Sequence, residues 1–322
     1  MQKKKNKLIR MSDIETKQVK WLWYPFIPYG KVTIIQGDPG EGKTTFVLAM
    51  IALLTKGKPL PEETVAVEPI RVIYQSAEDG LADTIKPRLE ISGADCSRVL
   101  VIDESDKELT LCDERLEQAV QETGAKLIVF DPLQAYLGDN VDMHRANEVR
   151  PIFKRLCATA DRTGCAIILI GHMNKAQGLK SSYRGLGSID FRAAARSVLL
   201  VGRLKSDPAV RVVAHDKSSL APEGQSIAFS LDAENGFQWI GYCDVSVDDI
   251  LSGTGSVQTK TAMMEDELRK MLVKPVPAEE VFKRAAELGI SERTVKIAKK
   301  NLNVQTEKLG GQWFWQPLDS RV

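Results

Sequence analysis

The chain has 322 residues, room for one large α/β domain with a small appendage or for two medium domains, and its 43% hydrophobic and 27% charged content excludes an intrinsically disordered protein. With 44 Lys and Arg against 43 Asp and Glu the formal charge is +1, so contact with nucleic acid must come from a local surface and not from a global basic field. Five scattered cysteines (Cys96, Cys112, Cys157, Cys165, Cys243), without a CxxC pair or a histidine cluster at zinc spacing, fit a reduced, cytoplasmic chain.

The start, MQKKKNKLIRMSD, is basic and lacks the apolar run of a signal peptide or membrane span, so residues 1–20 read as a solvated lead and no membrane is expected. From Lys31 short apolar runs alternate with helical stretches. The runs are VTIIQ (Val32 to Gln36), RVIYQS (Arg71 to Ser76), VLVID (Val99 to Asp103), KLIVFD (Lys126 to Asp131) and CAIILIG (Cys165 to Gly171). Continuous β-rich runs of this length are strands covered on both faces. Helices are expected at Thr44 to Thr55 and Ala146 to Gly164, with Pro151 either in the first turn of the second or at a kink. Strand alternating with helix predicts a doubly wound, mostly parallel sheet.

After about Phe191, SVLLVGRL, AVRVVAHDK, QSIAFSLD and GFQWIG follow one another with only turns between them, which predicts an antiparallel meander extending the sheet. The domain is therefore placed at residues 1–245. Residues 246–261 are rich in Ser, Gly and Thr and read as a flexible linker. Residues 262–322 predict a winged helix-turn-helix: two helices around the turn LGIS, with Gly289 as stop and Ser291 as cap, then a hairpin turning at GG.

The chemistry centres on GDPGEGKTT. Gly37, four residues, Gly42, Lys43 and Thr44, between a strand and a helix, form a phosphate loop whose backbone N–H groups and helix terminus point at an anion. The expected ATP cradle is Gly37, Asp38, Pro39, Gly40, Glu41, Gly42, Lys43, Thr44 and Thr45, with Lys43 on the β- and γ-phosphates and Thr44 on Mg²⁺. Asp131, ending the run KLIVFD, is the expected second metal residue. RVIYQS runs into AEDG, which places Glu78 and Asp79 at the carboxyl edge of the sheet; Glu78 is favoured as the base that polarises the attacking water. CAIILIG ends in His172, placed to sense the γ-phosphate.

In the order and spacing of these four motifs, roughly Trp21 to Leu231 resembles the RecA-like ATPases, and most nearly the RepA-type hexameric replicative helicases of plasmids and other mobile elements. VKWLWYPFIPYGKVTIIQGDPGEGKTT, VIYQSAEDG, IVFDPLQAYLG and LIGHMNK carry the likeness. The resemblance implies a homo-oligomer, a hexameric ring, with ATP between subunits and a basic residue from the neighbour completing each site. It also supports Glu78 as catalytic and His172 as sensor. VVAHDKSSLAPEG holds no obvious arginine finger: Ser219 stands where some relatives carry arginine. Lys217 and Arg196 are the foremost candidates, with Arg184 and Arg192 behind them.

In such rings the segment after the sensor strand, here Asn174 to Ser188, grips single-stranded DNA in the channel. Lys175, Lys180 and Arg184 would hold phosphates and Tyr183 would stack a base. In the second motif helix, Glu292 to Leu302, Arg293, Lys296, Lys299 and Lys300 share a broad face suited to duplex DNA, while Trp313 and Trp315 of the wing are expected on one strand face, packing into the core and wing. The reading is an Mg²⁺-dependent ATPase acting on DNA, as a helicase or replication accessory. Two alternatives are a DNA-binding regulator that uses ATP only as a switch and a small-molecule phosphotransferase.

Overall fold

The apolar runs become strands because their β-branched residues fill both faces of a central sheet. The computed structural model describes residues 8–63, 68–139, 141–143, 145–173, 189–232, 236–253, 255 and 260–316. In chain order, β1 (Trp21–Trp23) and β2 (Ile27–Pro28) form a small ribbon, and β3 (Val32–Gly37) leads through the loop into α1 (Lys43–Thr55). Then come β4 (Val72–Ser76), α2 (Lys86–Ile91), β5 (Val99–Leu100), α3 (Arg115–Thr123), β6 (Leu127–Asp131), α4 (Ala146–Thr163), β7 (Ala166–His172) and α5 (Ile189–Ala194). They are followed by β8 (Ser197–Arg203), β9 (Val210–Ser218), β10 (Ser226–Asp232), β11 (Gly236–Cys243) and α6 (Val247–Ser252). The C-terminal unit comprises α7 (Lys260–Met271), β12 (Val276–Pro277), α8 (Ala278–Glu287), α9 (Glu292–Asn301), β13 (Thr306–Leu309) and β14 (Gln312–Trp315).

The large sheet has nine strands in the order β11-β10-β9-β8-β3-β7-β6-β4-β5. From β8 to β5 every neighbouring pair is parallel, and from β8 outward through β9, β10 and β11 every pair is antiparallel. The first run of the expected meander, β8, thus pairs parallel with β3, and the antiparallel extension starts one strand later than its sequence suggests. One core layer joins α1, α2 and the β1–β2 ribbon to one face of the sheet through Trp23, Phe46, Tyr74 and Phe229. The other face is covered by α3, α4 and α5 through Val149, Phe153, Leu156 and Phe191. Ten of the 13 residues of α1 are buried, as suits a helix apolar on all sides lying under the phosphate loop.

Three local features differ from expectation. The run VLVID yields only the two residues of β5, because the Gln75 side chain takes over the pairing of Ile102, accepting from its N–H at 2.7 Å and donating to its carbonyl at 3.2 Å. Pro151 lies in the second turn of α4, one turn beyond the first-turn position offered for it. The expected linker is helical over its first part: Ser246 caps α6 in a reciprocal capping box with Asp249, and Ile250 packs with Leu200, Leu204 and Val212 against the sheet.

The C-terminal unit has a core of its own, built from Met264, Leu268, Leu272, Val281, Val295 and Trp315. Its strands form a separate sheet in the order β12-β14-β13. Among the described residues no helix is long and apolar enough to cross a membrane.

Candidate nucleotide site

The parallel register brings the motif residues to one edge. Gly37 pairs with His172 across β3 and β7, and Ser76 pairs with Asp131 across β4 and β6, so the loop, the Glu78 segment, Asp131 and His172 all emerge at the carboxyl ends of neighbouring strands. Gly37 cannot be replaced: a Cβ there would collide with the carbonyl oxygen of Val201 on β8. Gly42 sits at φ +89°, and a Cβ would lie 3.1 Å from Arg211 Cδ, so both backbone sign and space call for glycine at the junction with α1.

Lys43 is buried at 4% exposure. Its Nζ donates to the carbonyls of Gly37 (2.9 Å) and Asp38 (2.8 Å) and lies 3.3 Å from His172 Nδ1. Burial lowers the pKa of this ammonium, and Asp131, Glu41, Asp38 and Glu78 oppose the shift. A cation so confined, beside the outward-pointing first amides of α1, is matched to an incoming polyanion.

Thr44 Oγ1 donates to Asp131 Oδ2 at 2.6 Å, and Tyr74 OH donates to the same oxygen at 2.8 Å. Burial pushes the Asp131 carboxyl above the ordinary carboxylate range, while these two hydrogen bonds hold it down. Among the described residues no three His, Cys, Asp or Glu side chains gather as a metal cage. The hydroxyl of Thr44 and the carboxylate of Asp131 instead offer a small, hard oxygen set. That set fits Mg²⁺, an ion that takes one or two protein ligands and completes its shell with phosphate oxygens and water.

Glu78 reaches out from the edge, 63% exposed, with Oε2 3.6 Å from His172 Nε2. His172 thus stands between Lys43 on one ring nitrogen and Glu78 on the other. Asp79, the other carboxylate considered, is ion-paired to Arg88 at 2.9 Å, which leaves Glu78 as the freer of the two.

The candidate basic residues fall elsewhere. Arg196 N–H bonds the carbonyl of Val32, and Ser197 pairs with Ser218, so Arg196 and Lys217 lie at the amino edge, across the sheet from this chain's own loop. Lys217 Nζ donates to the carbonyls of Arg192 (2.7 Å), Ala193 (3.1 Å) and Ala195 (2.9 Å), closing the end of α5. Arg192 is bound to Asp216, its Nη2 2.8 Å from the carbonyl oxygen. Lys175, Lys180, Tyr183 and Arg184 lie outside the described residues.

On α9, Lys296 and Lys300 are exposed, Lys296 within 3.7 Å of Glu292. The side chain of Arg293 lies outside the described residues. Lys299 is turned from the face expected for it: its Nζ sits 4.9 Å from the Trp315 ring centroid and 3.4 Å from Thr306 Oγ1. Trp315 is buried at 3% whereas Trp313 is 54% exposed, because β14 runs past the edge of the small core. The two tryptophans therefore do not share the packing expected of them.

Two contributions escape a reading by motif. Tyr74 sits inside an apolar run, and only the pairing of β4 with β6 points its hydroxyl at Asp131. Arg203 and Arg211, from the ends of β8 and β9, lie on the loop itself, with Arg203 Nη2 donating to Gly40 O at 3.1 Å. Their sole sequence signal is a basic residue at each of two strand ends.

Residues 4–178, more than half of the chain and including the loop and the three strand-end motifs at Glu78, Asp131 and His172, match the family described as AAA domain. The chain belongs to that family. The DNA repair protein RadA of Halalkalibacterium halodurans is 29% identical over 151 residues, 45% of this chain and 28% of that protein. RadA of Brucella abortus is 28% identical over 152 residues, 45% of this chain and 29% of that protein. This AAA-domain chain thus matches under a third of the length of these curated relatives. Among solved structures, the ATPase domain of G40P superposes with a TM-score of 0.50 at 15% identity, covering 66% of this chain and 84% of that one. That likeness is one of fold alone.

Proposed function

We propose that this AAA-domain chain binds ATP with Mg²⁺, hydrolyses it, and applies the cycle to DNA as a helicase-like motor of the RepA type. The observation that carries the reading is the convergence at one sheet edge of Lys43, the Thr44–Asp131 pair and the His172–Glu78 pair. Lys43 exchanges its carbonyl partners for β- and γ-phosphate oxygens. Thr44 and Asp131 hold Mg²⁺, which when bound neutralises charge on those phosphates. Glu78 orients a water and accepts its proton, and His172, touching both Lys43 and Glu78, relays the presence of the γ-phosphate.

The amino-edge residues Lys217 and Arg196 are proposed as candidates for a site completed by a neighbouring copy in a ring. The C-terminal unit is proposed as a winged helix-turn-helix that docks on duplex DNA through Arg293, Lys296 and Lys300. Single-stranded DNA is assigned to the 174–188 segment with Lys175, Lys180, Tyr183 and Arg184. Support for DNA as the target comes from the RadA relatives, which are named for DNA repair. The test is the ATP hydrolysis rate with and without single-stranded DNA, together with particle mass in ATP. The reading expects DNA stimulation and a ring-sized particle. A monomer whose hydrolysis ignores DNA refutes it.

A further inference from the structure

An anion-binding loop that carries its own carboxylate presents an electrostatic problem, and GDPGEGKTT carries Glu41 one residue before its second required glycine. The Glu41 side chain is 19% exposed, and its Oε2 is buried without a hydrogen-bond partner. Arg203, at the end of β8, approaches it, and Arg211, at the start of β9, packs against the adjacent Gly42. Arg203 and Arg211 pair directly across β8 and β9. Arg203 Nε lies 3.9 Å from Glu41 Oε2, and its Nη2 donates to Gly40 O at 3.1 Å.

Arg211 is 7% exposed, its Nη1 donating to the carbonyls of Ala209 (2.8 Å) and Leu231 (2.9 Å). Its Nε is buried and unpartnered, 3.3 Å from where a Cβ on Gly42 would stand. Two guanidinium groups and one carboxylate are therefore packed beside the loop. Glu41 Oε2 meets Arg203 by charge attraction and makes no hydrogen bond.

We propose that Arg203 and Arg211 are positioning residues of the nucleotide site: they draw the Glu41 carboxylate sideways and offset its charge, so that the loop accepts a triphosphate. Without them the carboxylate stands unpaired beside the phosphates in a poorly solvated place, and repulsion grows with the charge of the ligand. The proposal rests on the reading of the loop as a nucleotide site. It differs from a direct phosphate contact, because the arginines act here through Glu41.

The test is a double-mutant cycle in the full chain, read as affinity for fluorescent ATP and ADP analogues, with Lys43→Ala as the non-binding control. Arg203 is chosen because it is partly exposed, whereas truncating buried Arg211 disturbs the packing at Gly42. Arg203→Ala is expected to weaken the triphosphate about tenfold and the diphosphate less, with Arg203→Lys restoring most of the loss. Glu41→Gln removes the charge that the arginines offset, and in that background Arg203→Ala costs less than about twofold. An equal loss in both backgrounds, or none in either, overturns the proposal while leaving nucleotide binding standing. A wild-type chain that binds neither analogue overturns both.

Discussion

Replacing Tyr74 by Phe removes one hydroxyl and leaves the ring, fully buried on β4, in place. That hydroxyl is one of two donors to Asp131 Oδ2, at 2.8 Å, with Thr44 at 2.6 Å as the other. A hydrogen bond to a charged group contributes about 1.5–3 kcal/mol, and with Thr44 retained a loss of about 2 kcal/mol is expected at neutral pH. At roughly 2–4 °C per kcal/mol for a unit of this size, the melting temperature falls by about 4–8 °C.

The loss carries a pH signature. Burial raises Asp131 above its unfolded value, so the stability tied to its protonation is full at acid pH and is lost as pH rises through the folded pKa. Tyr74→Phe deletes a bond that holds this pKa down, and raises it further. The penalty is therefore largest where Asp131 is ionised, and shrinks to about 1 kcal/mol or less where the carboxyl is protonated. Urea unfolding of both proteins between about pH 4 and pH 8 measures it. An equal penalty across that range, or one under about 0.5 kcal/mol at neutral pH, refutes the assignment of Tyr74 as the donor that orients Asp131.

Burial holds His215 down at about 4, and both ring nitrogens are partnered, Nε2 with Ser197 Oγ and Nδ1 accepting from Gly224 N–H. The unfolded chain protonates first, so stability is full above about pH 6.5 and falls by on the order of 3 kcal/mol towards pH 4. His215→Gln should flatten that slope in a pH series of thermal melts, and an unchanged slope contradicts the assignment. Ending the chain after Gly255 keeps α6 on the sheet and removes the C-terminal core. Basal ATP hydrolysis should persist while duplex-DNA affinity, read by fluorescence anisotropy, drops about tenfold or more. Unchanged affinity moves the duplex site to the large domain.

The fold was largely legible because a strand buried on both faces announces itself as an apolar run, and because the polar residues closing such runs collect at one edge of a parallel sheet. Gly37, Lys43, Thr44, Asp131, Glu78 and His172 could be ordered in space from that rule. What stayed hidden depends on pairing between strands distant in sequence. Tyr74 looks like one more apolar-run residue until β4 lies beside β6, and Arg203 and Arg211 look like solvated strand ends until β8 and β9 lie against the loop. Local chemistry misled in two places. The Ser- and Gly-rich stretch at 246–261 hides a capped helix whose Ile250 joins the core, and Lys299, at a spacing that suggests an outward basic face, rests on Trp315 instead.

The central claim, that this edge hydrolyses ATP, is tested most directly with Glu78→Gln. Its neutral side chain keeps the shape of the exposed carboxylate and leaves Lys43, Thr44 and Asp131 untouched. The account predicts ATP affinity close to that of the wild type with single-turnover hydrolysis slowed about 10²–10⁴-fold. Hydrolysis at the wild-type rate in that variant, with ATP bound, contradicts it.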